Sequence, residues 1–356
     1  MTMKLMADEK GLMCPNCSGI DFDQVGTMKD GSLTCRDCKQ TYVIKNAVPS
    51  LINMESENYK SKKEITDFWK HLYHAAYKDH ENFDDRDIFV DRLNNLEDLF
   101  QHREHLAVKE MPIESLEGKK VLEIGCGAGA HSSLFSLKGA NMTALDITLD
   151  RAYSASKKLN LLDTSKNSLS IHGDAEKLPF QDDYFDIVYS NGVLHHTHDT
   201  EKAISEVLRV LRPRGRAVIM LYSKHSFLYW INLFLLRGVL MGGIFRNKKW
   251  LGRSTEWMSE DKQEVYNPET KVYSQKRLRL MFNQFDDVKI RKVGFIFEQI
   301  PLIGKLIGKF CGIVTGYNES GFLIYDKPWR NETNLELILS RYIGFGNNIS
   351  ALKRRT

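Results

Sequence analysis

The stretch VLEIGCGAGAHSS, residues 121–133, decides the fold, and it satisfies two templates. GCGAGA fits G-x-G-x-x-G/A, the turn that holds a dinucleotide pyrophosphate, with Gly125, Gly127 and Ala130 in the small positions. It fits equally the tighter G-x-G-x-G, with Gly125, Gly127 and Gly129. Around it the pattern alternates. KKVLEI is a short buried strand running into the turn, AHSSLFSLKG a helix ending at Gly139, NMTALD a second strand and ITLDRAYSASKKLN its helix. LSIHGD, YFDIVYSN and GRAVIMLY supply further strands, with TEKAISEVLRVLRPRG as the helix before the last of them. This alternation predicts an α/β fold, a doubly wound parallel sheet whose ligand lies beyond the carboxyl ends of the strands.

Charge near the turn separates the two templates. Glu123 stands two residues before Gly125, where a carboxylate would repel a pyrophosphate but suits an ammonium or sulfonium group. Asp146 ends the second strand, 17 residues after Gly129, where a carboxylate can accept both ribose hydroxyls. Charged hydrogen bonds of that kind contribute roughly 1.5 to 3 kcal/mol each. Dehydrogenases use such a residue in the same way, so Asp146 does not decide; Glu123 favours S-adenosylmethionine. Asp174 and Ala175 follow the third strand, where a carboxylate can accept the adenine amino group and a backbone amide can meet the ring.

VLEIGCGAGAHSS, LDI, GDAEKLPF, FDIVYSNGVLHH and VLRPRGRAVIMLY together resemble the successive motifs of the class I S-adenosylmethionine-dependent methyltransferases. The similarity is to the branch that includes the ubiquinone and menaquinone enzymes, strong over about residues 117–222 and looser as far as GFLIYDKP. It implies a Rossmann-like sheet of seven strands with the last antiparallel, GFLIYDKP being that last strand. By the same resemblance Glu123, Gly125 and Gly127 hold the methionine end, with Cys126 a small residue fitting the turn between the two glycines. Asp146 and Ile147 hold the ribose, Asp174 and Ala175 the adenine, and Asn191 lies near the methyl. A base is needed only if the acceptor must lose a proton; His195 and His196, in the loop after the fourth strand, are the candidates, with loop packing as the competing role. His131 is read as a packing or supporting residue.

The composition is that of an ordinary soluble protein: 42% hydrophobic and 27% charged, enough to bury a full core over 356 residues. An excess of 50 Lys and Arg over 46 Asp and Glu is too small to indicate nucleic-acid binding by charge alone. MTMKLMADEKGLM lacks the apolar core of a signal peptide, which places the chain in the cytoplasm with reduced cysteines. Four of the cysteines form two C-x-x-C pairs, Cys14 and Cys17 in CPNC and Cys35 and Cys38 in CRDC, separated by 17 residues. That spacing fits a four-thiolate structural zinc site, which a segment this poor in apolar residues needs as a staple. Disulfides or a redox pair are the alternatives; the reducing compartment and the doubled pair favour Zn2+. With its continuation KQTYVIKNAVPSLI the segment resembles the small zinc-ribbon family found alone in bacteria and as an activator subunit of some methyltransferases.

Helical spacing without Gly runs from Asn58 to about Leu116. Its aromatics Phe68, Trp69, Tyr73, Tyr77 and Phe89 are read first as packing against the next domain; the alternative is that some line a substrate pocket as a cap. Beyond the fifth strand SFLYWINLFLLRGVLMGGIF, residues 226–245, has the length of a membrane span, but Asn232 and Arg237 interrupt it and strands of one sheet lie on either side. It reads instead as a helical lid, either simply closing the pocket or also resting on a membrane surface. QIPLIGKLIGKFCGIVTGY places Ile303, Leu306, Ile307, Phe310 and Val314 on one helical face and Lys305 and Lys309 on another, which suits a lid or a core helix with solvated lysines. YSQKRLRLMFNQF is the intervening helix, and ETNLELILSRYIGFGNNISALKRRT reads as a helical tail.

The organisation expected is a zinc ribbon over residues 1–55, a helical cap over 56–116, a methyltransferase domain over 117–330 with apolar insertions at 223–270 and 295–318, and a tail over 331–356. The function expected is methyl transfer from S-adenosylmethionine to oxygen or carbon of a small, apolar or lipid-linked acceptor. The alternatives are an RNA or protein methyltransferase gripping its substrate with the ribbon, a module that holds the cofactor without turnover, and a nicotinamide dehydrogenase.

Overall fold

Short apolar strand segments, several of them followed directly by a glycine, as at Gly125, Gly173 and Gly192, build the centre of the molecule. In the computed structural model, which describes residues 10–27, 29–54, 56–77, 83–162, 168–260, 263–325 and 327–355, these segments form one seven-stranded sheet. Its strands are β5 (Lys120–Ile124), β6 (Asn141–Asp146), β7 (Leu169–His172), β8 (Phe185–Asn191), β9 (Leu211–Tyr222), β12 (Phe285–Val293) and β15 (Gly346–Lys353), ordered β7-β6-β5-β8-β9-β15-β12. The first five run parallel, and β15 lies antiparallel between β9 and β12. The expected sheet, with its antiparallel last strand, is present.

That last strand is not the expected one. Residues 319–325, at the start of the GFLIYDKP region, make short helical turns, and Gly321 sits so close to the Lys327 carbonyl and the Trp329 backbone that a Cβ would meet them at 2.6 Å. The strand is instead GNNISALK, in the segment read as a helical tail. It is buried on both faces and on both edges, so its side chains show no alternation: Asn347, Asn348, Ile349, Ser350 and Ala351 are all buried. Ile349 pairs with Ile219 on one side and Ile290 on the other. The domain therefore runs to Lys353, and only Asn334–Ile343 of the supposed tail is helical, opened by a capping box between Thr333 and Glu336.

Helices cover both faces of the sheet and make two cores. Phe89, Leu93, Leu96 and Phe100 of the helix Arg86–His102 pack with Leu134, Phe135, Ala155 and Leu159 from the helices Ala130–Leu137 and Leu149–Leu161 on one face. Ile204, Val207, Leu278 and Phe282 cover the other, together with Leu12, Leu33, Tyr42 and Ile44 from the N-terminal segment. That segment is a small antiparallel sheet, β1 (Phe22–Gly26), β2 (Gly31–Cys35), β3 (Thr41–Lys45) and β4 (Val48–Pro49). It docks on the edge of β7: Ser50 pairs with His172, and the Leu51 amide donates to the His172 carbonyl at 2.9 Å. An otherwise exposed parallel edge is thereby covered. Two minor hairpins complete the strands, β10 (Trp257–Glu260) with β11 (Gln263–Tyr266) and β13 (Tyr317–Asn318) with β14 (Trp329–Arg330).

Candidate active site

The carboxyl ends of β5, β6, β7 and β8 converge on a chamber of two lobes. One lobe is lined by Gly125, Asp146, Ile147, Asp174, Ala175 and Asn191, among others. The other is lined by Glu123, Gly125, Cys126, Gly127, His131 and Asn191, with Leu323 and Ile324. All nine residues expected to meet the cofactor thus line one or other of two lobes, which share Tyr73, Gly125 and Asn191. The tighter glycine template holds: Gly125 has φ +72° with Val193 where a Cβ would go, at 2.4 Å, and Gly129 has φ +83° with the Ala155 backbone at 2.7 Å. Only glycine allows both that backbone conformation and that approach.

Each acid is held in place. Asp146 accepts from the Gly127 amide at 3.0 Å and from the Thr148 amide and hydroxyl at 2.8 Å. Burial raises its pKa against these bonds. Glu123 accepts from the Ser132 hydroxyl and lies 3.4 Å from His131 Nδ1. Asp174 accepts from the Glu176 amide at 2.9 Å.

Sequence reasoning missed the strongest partner of Asp174. Lys62, only 1% exposed, places Nζ 2.6 Å from Asp174 Oδ2 and 2.9 Å from Glu176 Oε2, and lines the chamber. It precedes the helix Lys63–Tyr77, whose Ile65, Trp69 and Tyr73 roof the chamber, with Tyr73 facing both lobes. Phe68 and Phe89 are core residues, so the cap aromatics divide between both expected roles; the Tyr77 side chain lies outside the described residues. No local signal marks Lys62, since only the fold brings it to acids 112 and 114 positions away.

The two histidines part company. His196 lines the chamber, packs edge-on against Trp69 at 5.1 Å between ring centres, and sets Nδ1 2.9 Å from the Glu269 carbonyl and 2.8 Å from Asn267 Nδ2. Its Nε2 faces Glu256 Oε1 at 3.7 Å. Burial lowers the His196 pKa, so the ring is neutral near pH 7 and able to take a proton. His195 does not reach the chamber: it is fully buried, between His196 at 4.0 Å and Tyr222 at 3.8 Å, and packing is its role. Glu256, also unforeseen, accepts from Tyr222 at 2.9 Å and Thr270 at 3.1 Å. With Tyr222 it forms the wall between His196 and a second cavity of about 620 Å³, lined also by Leu228, Leu233, Leu236 and Phe345.

Residues 122–219 match the family model described as a methyltransferase domain. The chain carries a class I S-adenosylmethionine-dependent methyltransferase domain. Among curated relatives, the chain is 33% identical over 141 residues to the demethylmenaquinone methyltransferase of Streptomyces avermitilis, covering 40% of this chain and 58% of that one. It is 36% identical over 124 residues to the malonyl-[acyl-carrier protein] O-methyltransferase of Buchnera aphidicola, covering 34% and 46%. The chain spans about half the length of these curated relatives. A solved complex of the Haloferax volcanii Trm112 methyltransferase activator with a methyltransferase aligns at TM-score 0.48 and 16% identity, over 82% of this chain and 98% of that one.

Outside the methyltransferase domain, the Sγ atoms of Cys14, Cys17, Cys35 and Cys38 lie within 4.8 Å of one another. Cys14 to Cys38 and Cys17 to Cys35 are each 3.6 Å apart. That is far too long for a disulfide, and close to the ~3.8 Å edge of a tetrahedron with metal–sulfur bonds of ~2.3 Å. The four thiols fit a metal ion.

Proposed function

We propose that the protein transfers a methyl group from S-adenosylmethionine to oxygen or carbon of a small apolar or lipid-linked acceptor. The observation that carries this reading is the chamber itself: nine residues from four strand ends, closed by Trp69 and Tyr73 of the cap. Glu123 suits the ammonium group, Asp146 the ribose hydroxyls, and Asp174 and Ala175 the adenine. S-adenosylmethionine brings an already activated methyl, so the chain's task is alignment and exclusion of water. Trp69, Tyr73 and Ile65 exclude water from above, while Gly125 and Asn191 border the lobe junction. His196 Nε2, backed by Glu256, is the site that can take a proton from an acceptor hydroxyl or acidic carbon.

The second cavity beside Glu256 has an apolar side, Leu228, Leu233, Leu236 and Phe345, facing a polar one that includes Asn232, Arg237 and Gln299, which leaves room for an acceptor with an apolar part. Relatives named for demethylmenaquinone and malonyl-[acyl-carrier protein] lend support from outside the chain. The four-thiol site is proposed to hold Zn2+ as a structural staple. The groove between ribbon and sheet sets Asp174, Glu176, Asp182 and Glu206 beside Lys177, Lys202 and Arg209, so it offers no basic track to nucleic acid.

The test is to incubate the protein with methyl-labelled S-adenosylmethionine and a membrane-containing cell extract, then partition the label. Label in the organic phase is the expected result. Label confined to the aqueous or acid-precipitable fractions would overturn the apolar acceptor.

A further inference from the structure

The helix Gly304–Thr315 packs the opposite way from an ordinary surface helix. Its buried residues are Gly304, Gly308, Cys311 and Gly312, while Leu306, Phe310, Ile313 and Val314 are 67–81% exposed. The glycines are what lets it dock this way round. A Cβ on Gly308 would meet Glu298 Oε1 at 2.3 Å, and one on Gly312 would meet the Tyr317 hydroxyl at 2.3 Å. Beneath it the platform is rigid: Arg330 grips Glu298 at 2.6 and 2.7 Å and Glu336 at 2.9 Å. The apolar side is thus built to face outward, which excludes the core-helix reading of this segment.

The other insertion adjoins it. Its wide π-helix Leu228–Leu240 is held to the same turn, Asn232 donating to the Gln299 carbonyl, and it exposes Trp230, Leu235, Leu240 and Met241, followed by Phe245 at 80%. No helix among the described residues is long and apolar enough to cross a membrane. Across the two insertions, residues 223–270 and 295–318, nine Lys and Arg stand against six Asp and Glu; the acids lie at Glu298 and from Glu256 onward, so residues 223–255 and 299–318 hold eight Lys and Arg and no acid. Lys305, Lys309, Arg246 and Lys248 are exposed beside the apolar side chains. Exposed apolar side chains with exposed cations among them suit the interface of an anionic bilayer, in which the first are buried and the second meet lipid phosphates.

We infer that the two insertions form a membrane-docking face for an anionic lipid surface, beside the cavity that Met241, Glu256 and Gln299 line. This deepens the function proposed above by naming the phase from which the acceptor is drawn, and it rests on that function only for the acceptor's route. Docking needs no turnover, so the two can fail separately.

The experiment is co-sedimentation of the full chain with vesicles of phosphatidylglycerol and phosphatidylcholine, against vesicles of phosphatidylcholine alone. The double variant Leu306→Glu, Phe310→Glu changes exposed side chains only, and unchanged S-adenosylhomocysteine affinity checks that it folds. The wild type is expected to bind the anionic vesicles, less strongly at high salt, and the variant to bind them about ten-fold more weakly or worse. Wild-type protein left in the supernatant at low salt, or a variant that sediments equally well, would overturn the proposal. So would a wild-type dimer in solution that the variant dissociates, because a second copy would then own the face.

Discussion

Lys62 ties the cap to the cofactor end of the sheet, and its removal would strand two buried carboxylates, Asp174 and Glu176. Breaking a buried ion pair on one side costs about 3 to 5 kcal/mol. The Lys62→Met variant is therefore expected to lose roughly that much stability by urea denaturation, whereas loss below about 1 kcal/mol, the range of an exposed pair, would contradict the geometry. For His196 the expected signature is kinetic. His196→Gln should keep its affinity for S-adenosylhomocysteine while kcat falls about a hundred-fold; equal kcat in single-turnover measurements would leave His196 a wall residue. The glycines and acids of this site were legible because each belongs to a fixed position after a strand. Lys62 and Glu256 were not, because each reaches the site from a segment whose place relative to the sheet only the fold determines.

Among the elements, legibility followed periodicity. The strands and helices from Lys120 to Val210 carry clean apolar patterns and lie where expected, while LRPRG, read as the end of a helix, opens the strand Leu211–Tyr222. GNNISALK carries none, since a central strand with buried polar residues at Asn347, Asn348 and Ser350 looks like a polar tail. The helix Gly304–Thr315 misleads in a different way: its apolar stripe reads as the buried side, and its glycines are the true packing surface. The ribbon's docking turns on His172, whose Nδ1 lies 2.7 Å from Ser50 Oγ and whose Nε2 donates to the Ile147 carbonyl at 3.0 Å. Burial pulls its pKa down to about 4. The folded state thus takes up a proton less readily than the unfolded chain, whose histidine titrates near ~6.5. Stability is complete above the unfolded value and is lost as pH falls toward the folded one, by about 2 kcal/mol between roughly pH 7 and 5. Urea midpoints against pH should show this slope reduced in His172→Gln; an identical slope would place the acid sensitivity elsewhere. The metal expectation has its own readout: about one zinc per chain by mass spectrometry of the metal, lost in the double variant Cys14→Ser, Cys38→Ser.

At the scale of the whole molecule, the site is assembled from three parts that the sequence presents separately. The sheet supplies the acids and the glycine turn, the cap supplies the roof and Lys62, and the insertions supply Glu256 and an outward apolar face. Fold class and cofactor end could be read from one stretch and its neighbours; the acceptor side could not, because its residues come from insertions with no regular pattern. The central claim is that this chamber holds S-adenosylmethionine rather than a dinucleotide, and titration calorimetry tests it most directly. Wild-type protein is expected to bind S-adenosylhomocysteine and not NADH, and Asp146→Ala to lose at least ~10-fold in affinity through its lost charged hydrogen bonds. Binding of NADH, or S-adenosylhomocysteine affinity untouched by Asp146→Ala, would contradict the account.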